Sequence, residues 1–479
     1  MKKNHFTILF LSLLIASWST QGQSKKWTLQ ECVDYALKNN ISIQQTDLET
    51  ETAEVNKTSA FGSFLPTINA STSHSWNIGL NQNITTGLLE NQTSQFTAAG
   101  VNVNVTLYNG LQNLNRMRKA NLSILAAQYR LSKIQNDISL NVANAYLQIL
   151  FSKENLKVQQ NQLLSDEKQF NRTTELVDAG VIPKGDLLDS KATISGDKQK
   201  IIIAENSLFL GKLSLAQLLQ LPDFENFDVS DNNTVLEKST VLNEKPETII
   251  EKAKAERMEI KIAKNNLAIA EKDIQIAKGA YQPNLSAFYG FNTRISDNPR
   301  VTGAVLDAQN PTRVIGVDSV TGANVIVPNF NPTFGGPVSF FSQFNTNKGN
   351  NFGLQLSIPI LNGFSARTSV QRAKIALKQS KIASKQAELD IERNVYTAMS
   401  DAKGALNAYE SSIVAFEARK EALNYAKEKF AVGLMNSFNL NQAQTIYSAA
   451  ESEVLRTKFD YIFKVKVVEF YFGIPISKK

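Results

Sequence analysis

Between Gly110 and Gly180 the chain has neither glycine nor proline, and between Gly363 and Gly433 its one breaker is Gly404. Each window holds 69 residues, dominated by Ala, Leu, Lys, Gln and Glu at helical spacing. About 66 helical residues rising about 1.5 Å each make a rod of roughly 100 Å, many times the length of an ordinary globular helix. No compact globule contains such a rod. The windows are also copies. Val105-Thr-Leu-Tyr-Asn-Gly110 recurs as Ile358-Pro-Ile-Leu-Asn-Gly363, Asn141-Val142 as Asn394-Val395, and Val177-Asp-Ala-Gly180 as Phe430-Ala-Val-Gly433, all at an offset of 253 residues. The spacing predicts one structural unit built twice.

Each rod ends at a short turn, Gly180-Val-Ile-Pro-Lys-Gly185 or Gly433-Leu-Met-Asn-Ser437, after which a second helix runs back. The pattern predicts helices at about 112–177 and 186–220 in the first half and at about 365–430 and 438–470 in the second. Shorter helical stretches precede them at about 28–61 and 247–278, the first opened by Thr28 and Glu31 at capping-box spacing. Ahead of each rod the period changes to two. Val101, Val103, Val105 and Leu107 alternate with Asn102, Asn104, Thr106 and Tyr108, and Leu354, Leu356, Ile358 and Ile360 alternate with Gln355, Ser357 and Pro359. Weaker strands follow Pro66 and Pro283, giving hairpins at about 67–108 and 284–361 with strands of roughly ten residues. That length suits an outer-membrane strand, and the alternation fits an ordinary half-buried sheet equally well. The loop at about 293–351, rich in Asn, Gly, Thr and Pro, is expected at the surface. The organisation is therefore a first repeat over 24–222, an Asp/Asn-rich connector over 223–246, and a second repeat over 247–474.

Composition excludes most site chemistry. The chain has two histidines, His5 and His74, and one cysteine, Cys32, which removes most zinc, copper and iron sites, disulfide frameworks and Ser-His-Asp or Cys-His machinery. Carboxylates such as Glu388 and Asp390 read as a solvated helix face rather than an acid/base pair, and no nucleotide loop is present. No catalytic residue, metal or cofactor is expected. The formal charge of +7 is spread along helices and gives little reason to invoke nucleic acid. Lys2 and Lys3, an apolar run from Phe6 to Ala16 and small polar residues up to Ser24 predict a signal peptide over 1–23. No later window of eighteen apolar residues is seen, so no transmembrane helix is expected. Cys32 reads as a small buried apolar residue.

Four strands cannot close a membrane barrel, since the smallest need eight, and an open sheet in lipid leaves backbone groups unsatisfied. Such a chain must oligomerise. Two copies leave no lumen, so a water-filled duct favours three or more. A non-pore periplasmic coiled-coil or adaptor-like protein is the competing reading. That class is expected to show one helical hairpin in a small β domain, whereas here two hairpins each follow a strand pair.

Three features together resemble the outer membrane efflux proteins, the TolC family: the opening Thr28-Leu-Gln-Glu-Cys-Val-Asp-Tyr-Ala-Leu-Lys-Asn-Asn40, the strand exits Asn109-Gly110 and Pro359-Ile-Leu-Asn-Gly363, and the paired tip turns. The likeness runs through nearly the whole mature chain. It implies a fold that is mainly α with a small β part, in which the duplicated strand-hairpin plus long α-helical hairpin forms a trimeric 12-stranded β-barrel continuous with an α-helical barrel. It also implies an outer-membrane location with the helical tunnel in the periplasm, and partners in a homotrimer, a periplasmic adaptor protein, an inner-membrane pump and outer membrane lipid. The implied function is passive export of small molecules or proteins in a tripartite efflux or type I secretion system.

In that family a Val-Gly-Leu turn meets the adaptor. It is intact here as Val432-Gly433-Leu434 and approximate as Ala179-Gly180-Val181, and Gly180 and Gly433 are equally suited to capping helices in a left-handed conformation. Beyond the second turn, a well-known relative has an acidic pair that forms a constricting ring. Asn439 and Gln442 stand at those positions, and Asp186 and Asp189 at the matching places of the first half. Three copies of each Asp around a threefold axis would attract cations, and like charges held close would raise some of their pKa values. Helix capping explains Asp186 equally well. Met435 replaces a gate-locking arginine of the relative.

Overall fold

In a computed structural model, the described residues are 26–82, 87, 89–222, 224–231 and 239–475. The expected signal peptide, 1–23, lies outside them. The first half runs β1 (Lys26–Trp27), α1 (Leu29–Asn39), α2 (Ile41–Gly62), β2 (Thr67–Gln82), β3 (Leu89–Asn109), α3 (Gln112–Asp178), α4 (Lys184–Leu219) and β4 (Asp228–Val229). After a 3₁₀ turn at Thr240–Asn243 come α5 (Pro246–Glu256), α6 (Met258–Gly279), β5 (Asn284–Ser296), β6 (Arg300–Leu306), β7 (Thr312–Val317), β8 (Asn324–Pro328) and β9 (Phe330–Gly335). The chain closes with α7 (Phe340–Thr346), β10 (Gly349–Ser357), α8 (Ser365–Ala431) and α9 (Ser437–Tyr471).

The rods α3 and α8 are 67 residues each, and both start and finish 253 positions apart. The shorter helices α1 and α5 (11 residues each) and α2 and α6 (22 each) are instead displaced by 217. The 36-residue difference, 253 less 217, falls between β5 and β10. Everything else keeps register.

The residues divide into two units. The first holds the described residues up to Glu54, Asn121–Ala270 and those from Ala376 onward. Its core repeats as the sequence does. Cys32/Ile249, Val33/Ile250, Ala36/Ala253 and Ile43/Ile260 correspond at the 217 offset, Val142/Val395 and Leu215/Val468 at the 253 offset, and none is more than 8 % exposed. Burial of each valine, leucine or isoleucine among them is worth about 1.5–3 kcal/mol, so the same positions anchor both halves. Cys32 is among them, and burial pushes its thiol up to about 12.

The Thr28–Glu31 capping box forms, with the Thr28 hydroxyl accepting from the Glu31 N–H and the Glu31 carboxylate accepting from the Thr28 N–H. The helical stretch expected at 247–278 is broken at Arg257, the counterpart of Asn40. Each breaking residue is buried and reaches the returning helix of its own half. Asn40 donates to the Leu218 carbonyl (2.9 Å), and the Arg257 guanidinium stacks 3.8 Å from the Phe470 ring. The connector also contributes structure. β4 pairs in parallel with β1, and Lys153 of α3 bridges Asp228 and Asp231 while donating to the Val229 carbonyl (2.7 Å). By length and composition α4 is apolar enough to cross a membrane, which corrects the expectation that no such helix follows the leader. It is the return limb of the first hairpin, and it leaves Ile202, Ile203, Phe209 and Leu210 more than half exposed.

The second unit, Val55–Ala120 and Glu271–Ile375, carries the sheet. The two hairpins are not separate: β3 pairs with β5, giving one antiparallel sheet ordered β10-β5-β3-β2. Its strands run 13, 16 and 21 residues for β5, β2 and β3, longer than the expected ten, with only β10 near it at 9. β10 ends at Ser357 rather than 361, because Pro359 has no N–H to give a ladder. Register assigns the faces. Ile68, Trp76, Ile78, Val101, Val103, Tyr289, Phe291, Phe352, Leu354 and Leu356 share one face, and Asn69, Ser71, Ser73, Asn102, Asn104, Asn292, Asn351 and Gln355 share the other. The loop at 293–351 is exposed over most of its length, but it is not structureless. It folds as a β ribbon, β6 with β9 and β7 with β8, followed by α7.

Candidate functional site

Both rods end in the same backbone device. Gly180 has φ +76° and Gly433 φ +77°. Val181 N–H donates to the Leu176 carbonyl (2.8 Å) and Gly180 N–H to that of Val177 (3.0 Å); Leu434 and Gly433 repeat the pair on Lys429 (2.8 Å) and Phe430 (3.1 Å). This is a Schellman cap, which satisfies the last carbonyls of a helix and places glycine where a side chain would be strained. The capping explanation of the two glycines therefore holds. The flanking residues are not consumed by it: Val181, Val432 and Leu434 are 67 %, 70 % and 78 % exposed, and Ala179 is exposed as well.

The four polar candidates separate into two kinds. Asp189 and Gln442 line one cavity of about 430 Å³ between α4 and α9, together with Thr193, Phe438 and Asn441. Asp186 and Asn439 are not in its wall. Asp186 lies in the first turn of α4, whose N-cap is Pro183 and has no side-chain cap, so its carboxylate offsets the dipole there. The Asn439 N–H is taken by the Asn436 side chain (3.0 Å), the N-cap of α9. Within one chain, this cavity therefore brings together one candidate from each half.

Twelve residues before the end of α3, a buried polar chain escapes the pattern reading. Lys200 contacts Asp197 (2.9 Å) on α4, Asp197 faces Asp166 on α3, Gln162 Nε2 donates to Asp166 (2.7 Å), and Gln444 of α9 donates to Gln162 (3.1 Å). Asp166 and Asp197 are 5 % and 2 % exposed. Burial first, and then the facing Asp197, push the Asp166 carboxyl up to about 7, against the opposing pull of Gln162 and Lys200. The Oδ2 of Asp197 finds no donor unless Asp166 carries a proton. A cavity of about 300 Å³ beside Asp166 is also lined by Lys168, Arg172 and Lys427. In sequence, Asp166 and Asp197 sit among charged rod residues and look like solvated face. Among the described residues no His/Cys/Asp/Glu cluster suited to a metal is found.

The family profile described as "Outer membrane efflux protein" matches residues 32–220 and 249–462. The Outer membrane protein TolC of Vibrio cholerae is 21 % identical over 460 residues, 95 % of this chain and 92 % of the relative. Among solved structures, a membrane protein from Pseudomonas aeruginosa superposes with a TM-score of 0.74 at 17 % identity, covering 93 % of this chain and 90 % of that one. The CmeC outer membrane channel of Campylobacter jejuni gives 0.71 at 17 % identity, covering 94 % and 87 %.

Proposed function

The chain belongs to the outer membrane efflux protein family, and on that premise we propose that three copies pool their sheets into a twelve-stranded barrel whose hole opens into a duct walled by the long helical hairpins. The location is the outer membrane and the work is efflux. One observation carries the trimer reading. The four-stranded sheet has an apolar face and an Asn/Ser face, and among the described residues β2 and β10 are each paired on one side only. Lipid tolerates no open edge, so both edges need strands from other copies. Twelve strands are the smallest multiple of four that leaves a lumen. Crosslinking in intact outer membranes should give a band at three times the monomer mass, and the purified species should conduct ions across a planar bilayer. A lone monomer that conducts nothing would refute the barrel.

Transport through such a duct is passive, with energy supplied by an inner-membrane pump reached through a periplasmic adaptor. The exposed apolar tips Val181, Val432 and Leu434, held by Gly180 and Gly433 and flanked by Ala179, suit adaptor docking. The cavity shared by Asp189 and Gln442, with Asp186 and Asn439 one turn nearer the tip, is the gate candidate. Three Asp186 and three Asp189 around a threefold axis would draw divalent cations into the constriction. Asp186→Asn combined with Asp189→Asn should therefore weaken divalent-cation block of single-channel current at least severalfold. Unaltered block returns Asp186 to its helix dipole and removes Asp189 from the gate.

A further inference from the structure

At the outer end of β5 the apolar face of the sheet is covered. Thr293 and Ile295 are buried at 2 % and 7 %, while their neighbours Asn292 and Arg294 on the other face are exposed. The cover is α7. Thr293 Oγ1 donates to the Phe344 carbonyl (2.9 Å), Gln343 exchanges hydrogen bonds with the Ser296 backbone (2.8 and 2.9 Å), and Asn347 donates to the Arg294 carbonyl (2.6 Å). The Phe344 and Phe291 rings lie 6.2 Å apart. Beside them remains a crevice of about 350 Å³, lined by Phe344, Phe291, Val101, Ala99, Ala70 and Thr72 among others. On the outside of α7, Phe340 and Phe341 contact edge to face and are 51 % and 82 % exposed. The first hairpin has no counterpart, since α7 falls in the stretch that holds the extra 36 residues.

Position along the sheet identifies the surroundings. From Leu285 to Ile295 is ten residues, about 33 Å along a strand, or about 25 Å across a bilayer at a tilt of about 40°. That is the height of the apolar band of an outer-membrane barrel. α7 therefore stands at its outer boundary, level with His74 and near Trp76, which register places beside Thr97 and Gln95. Exposed aromatics at this level are what the membrane interface accepts. The crevice spans β2, β3 and β5 of one chain and opens on the apolar face. A second copy would pair in the plane of the sheet, along the edges of β2 and β10, and leave this face free.

We propose that the crevice under α7 holds an acyl chain of an outer-leaflet lipid, with Phe340 and Phe341 seated in the headgroup boundary. The proposal rests on the reading above that the apolar face meets lipid. It is tested with the full-length protein in vesicles of phosphatidylethanolamine and phosphatidylglycerol bearing a diazirine on the acyl chain. After irradiation, label is expected on 338–346 and near Ala99, in addition to general label at Ile68 and Leu354. Ala99→Phe, or Ala70→Leu if the first variant fails to fold, should cut the label on 338–346 at least fivefold and spare Ile68 and Leu354. Crevice label that survives filling overturns the proposal, as does a photoreactive side chain at position 340 that crosslinks to another copy instead of lipid. Loss of label at Ile68 and Leu354 as well would instead overturn the lipid-facing sheet.

Discussion

Gly110→Ala is expected to leave almost no folded protein in the outer membrane, whereas Gly363→Ala, at the matching position of the second repeat, should accumulate at near-normal levels. Both glycines have positive φ, +68° and +58°, and a left-handed alanine costs about 1–2 kcal/mol. For Gly363 that is the whole cost, because an added Cβ has no neighbour within 4 Å. At Gly110 the same Cβ would overlap the Gly279 carbonyl oxygen and lie 2.9 Å from the Gly279 Cα. Neither backbone can withdraw. Asn109 is tied to Asn284 across the sheet and to Asn113 in the rod (2.7 Å), and the Gly279 carbonyl already accepts from Gln282 (3.0 Å). Together these exceed about 4 kcal/mol, a large share of ordinary domain stability. Immunoblots of outer-membrane fractions and thermal melts of purified protein read the difference. Equal behaviour of the two variants would show that the approach of Gly110 to Gly279 is not rigid.

The second large effect lies in the pair Asp166–Asp197. The Asp166 carboxyl sits at about 7 in the folded protein, against about 3.9 for an exposed Asp. The native state thus holds its proton more tightly than the unfolded chain. Between about pH 4 and pH 7 the native state binds more protons, so stability falls as pH rises across that window and levels off above it. At about 1.4 kcal/mol per unit, the loss is on the order of 4 kcal/mol. Lys200, on the α4 side, is the charge that tempers it, while Lys168, Arg172 and Lys427 line the adjoining cavity. Asp166→Asn keeps an acceptor for Gln162 and supplies Asp197 with an N–H at every pH. The variant should match the wild type near pH 4.5 and melt several degrees higher at pH 8, with slower hydrogen exchange in α3 and α4 around residues 160–200. A wild-type melting temperature that is flat from pH 4 to 8 would remove the shared proton.

What was legible in the sequence follows from which interactions are local. A helix bonds each N–H to a carbonyl four residues back, so 69 residues without a breaker read directly as α3 and α8, and the Gly180 and Gly433 turns show because left-handed backbone selects glycine. Capping by Thr28 and Glu31 is equally local. Alternation told which side chains share a face, but not which strand lies beside which: the β3–β5 pairing joins residues 175 to 200 positions apart and carries no local signature. Asp189 was recognisable by its offset from the second half, yet its partner in the cavity is Gln442 of the other hairpin and not Asp186 of its own. Asp166 was invisible because a carboxylate inside a charged rod looks solvated until another helix removes its water. Two rods, their caps and a sheet with one wet and one greasy face follow from the amino-acid order alone, all enforced by hydrogen bonds and periodicity within short reach. The fusion of the hairpins into one open sheet, the break at Arg257, the α7 cover and the buried, facing carboxyls of Asp166 and Asp197 belong to the tertiary fold, because each arises where distant segments exclude water from one another.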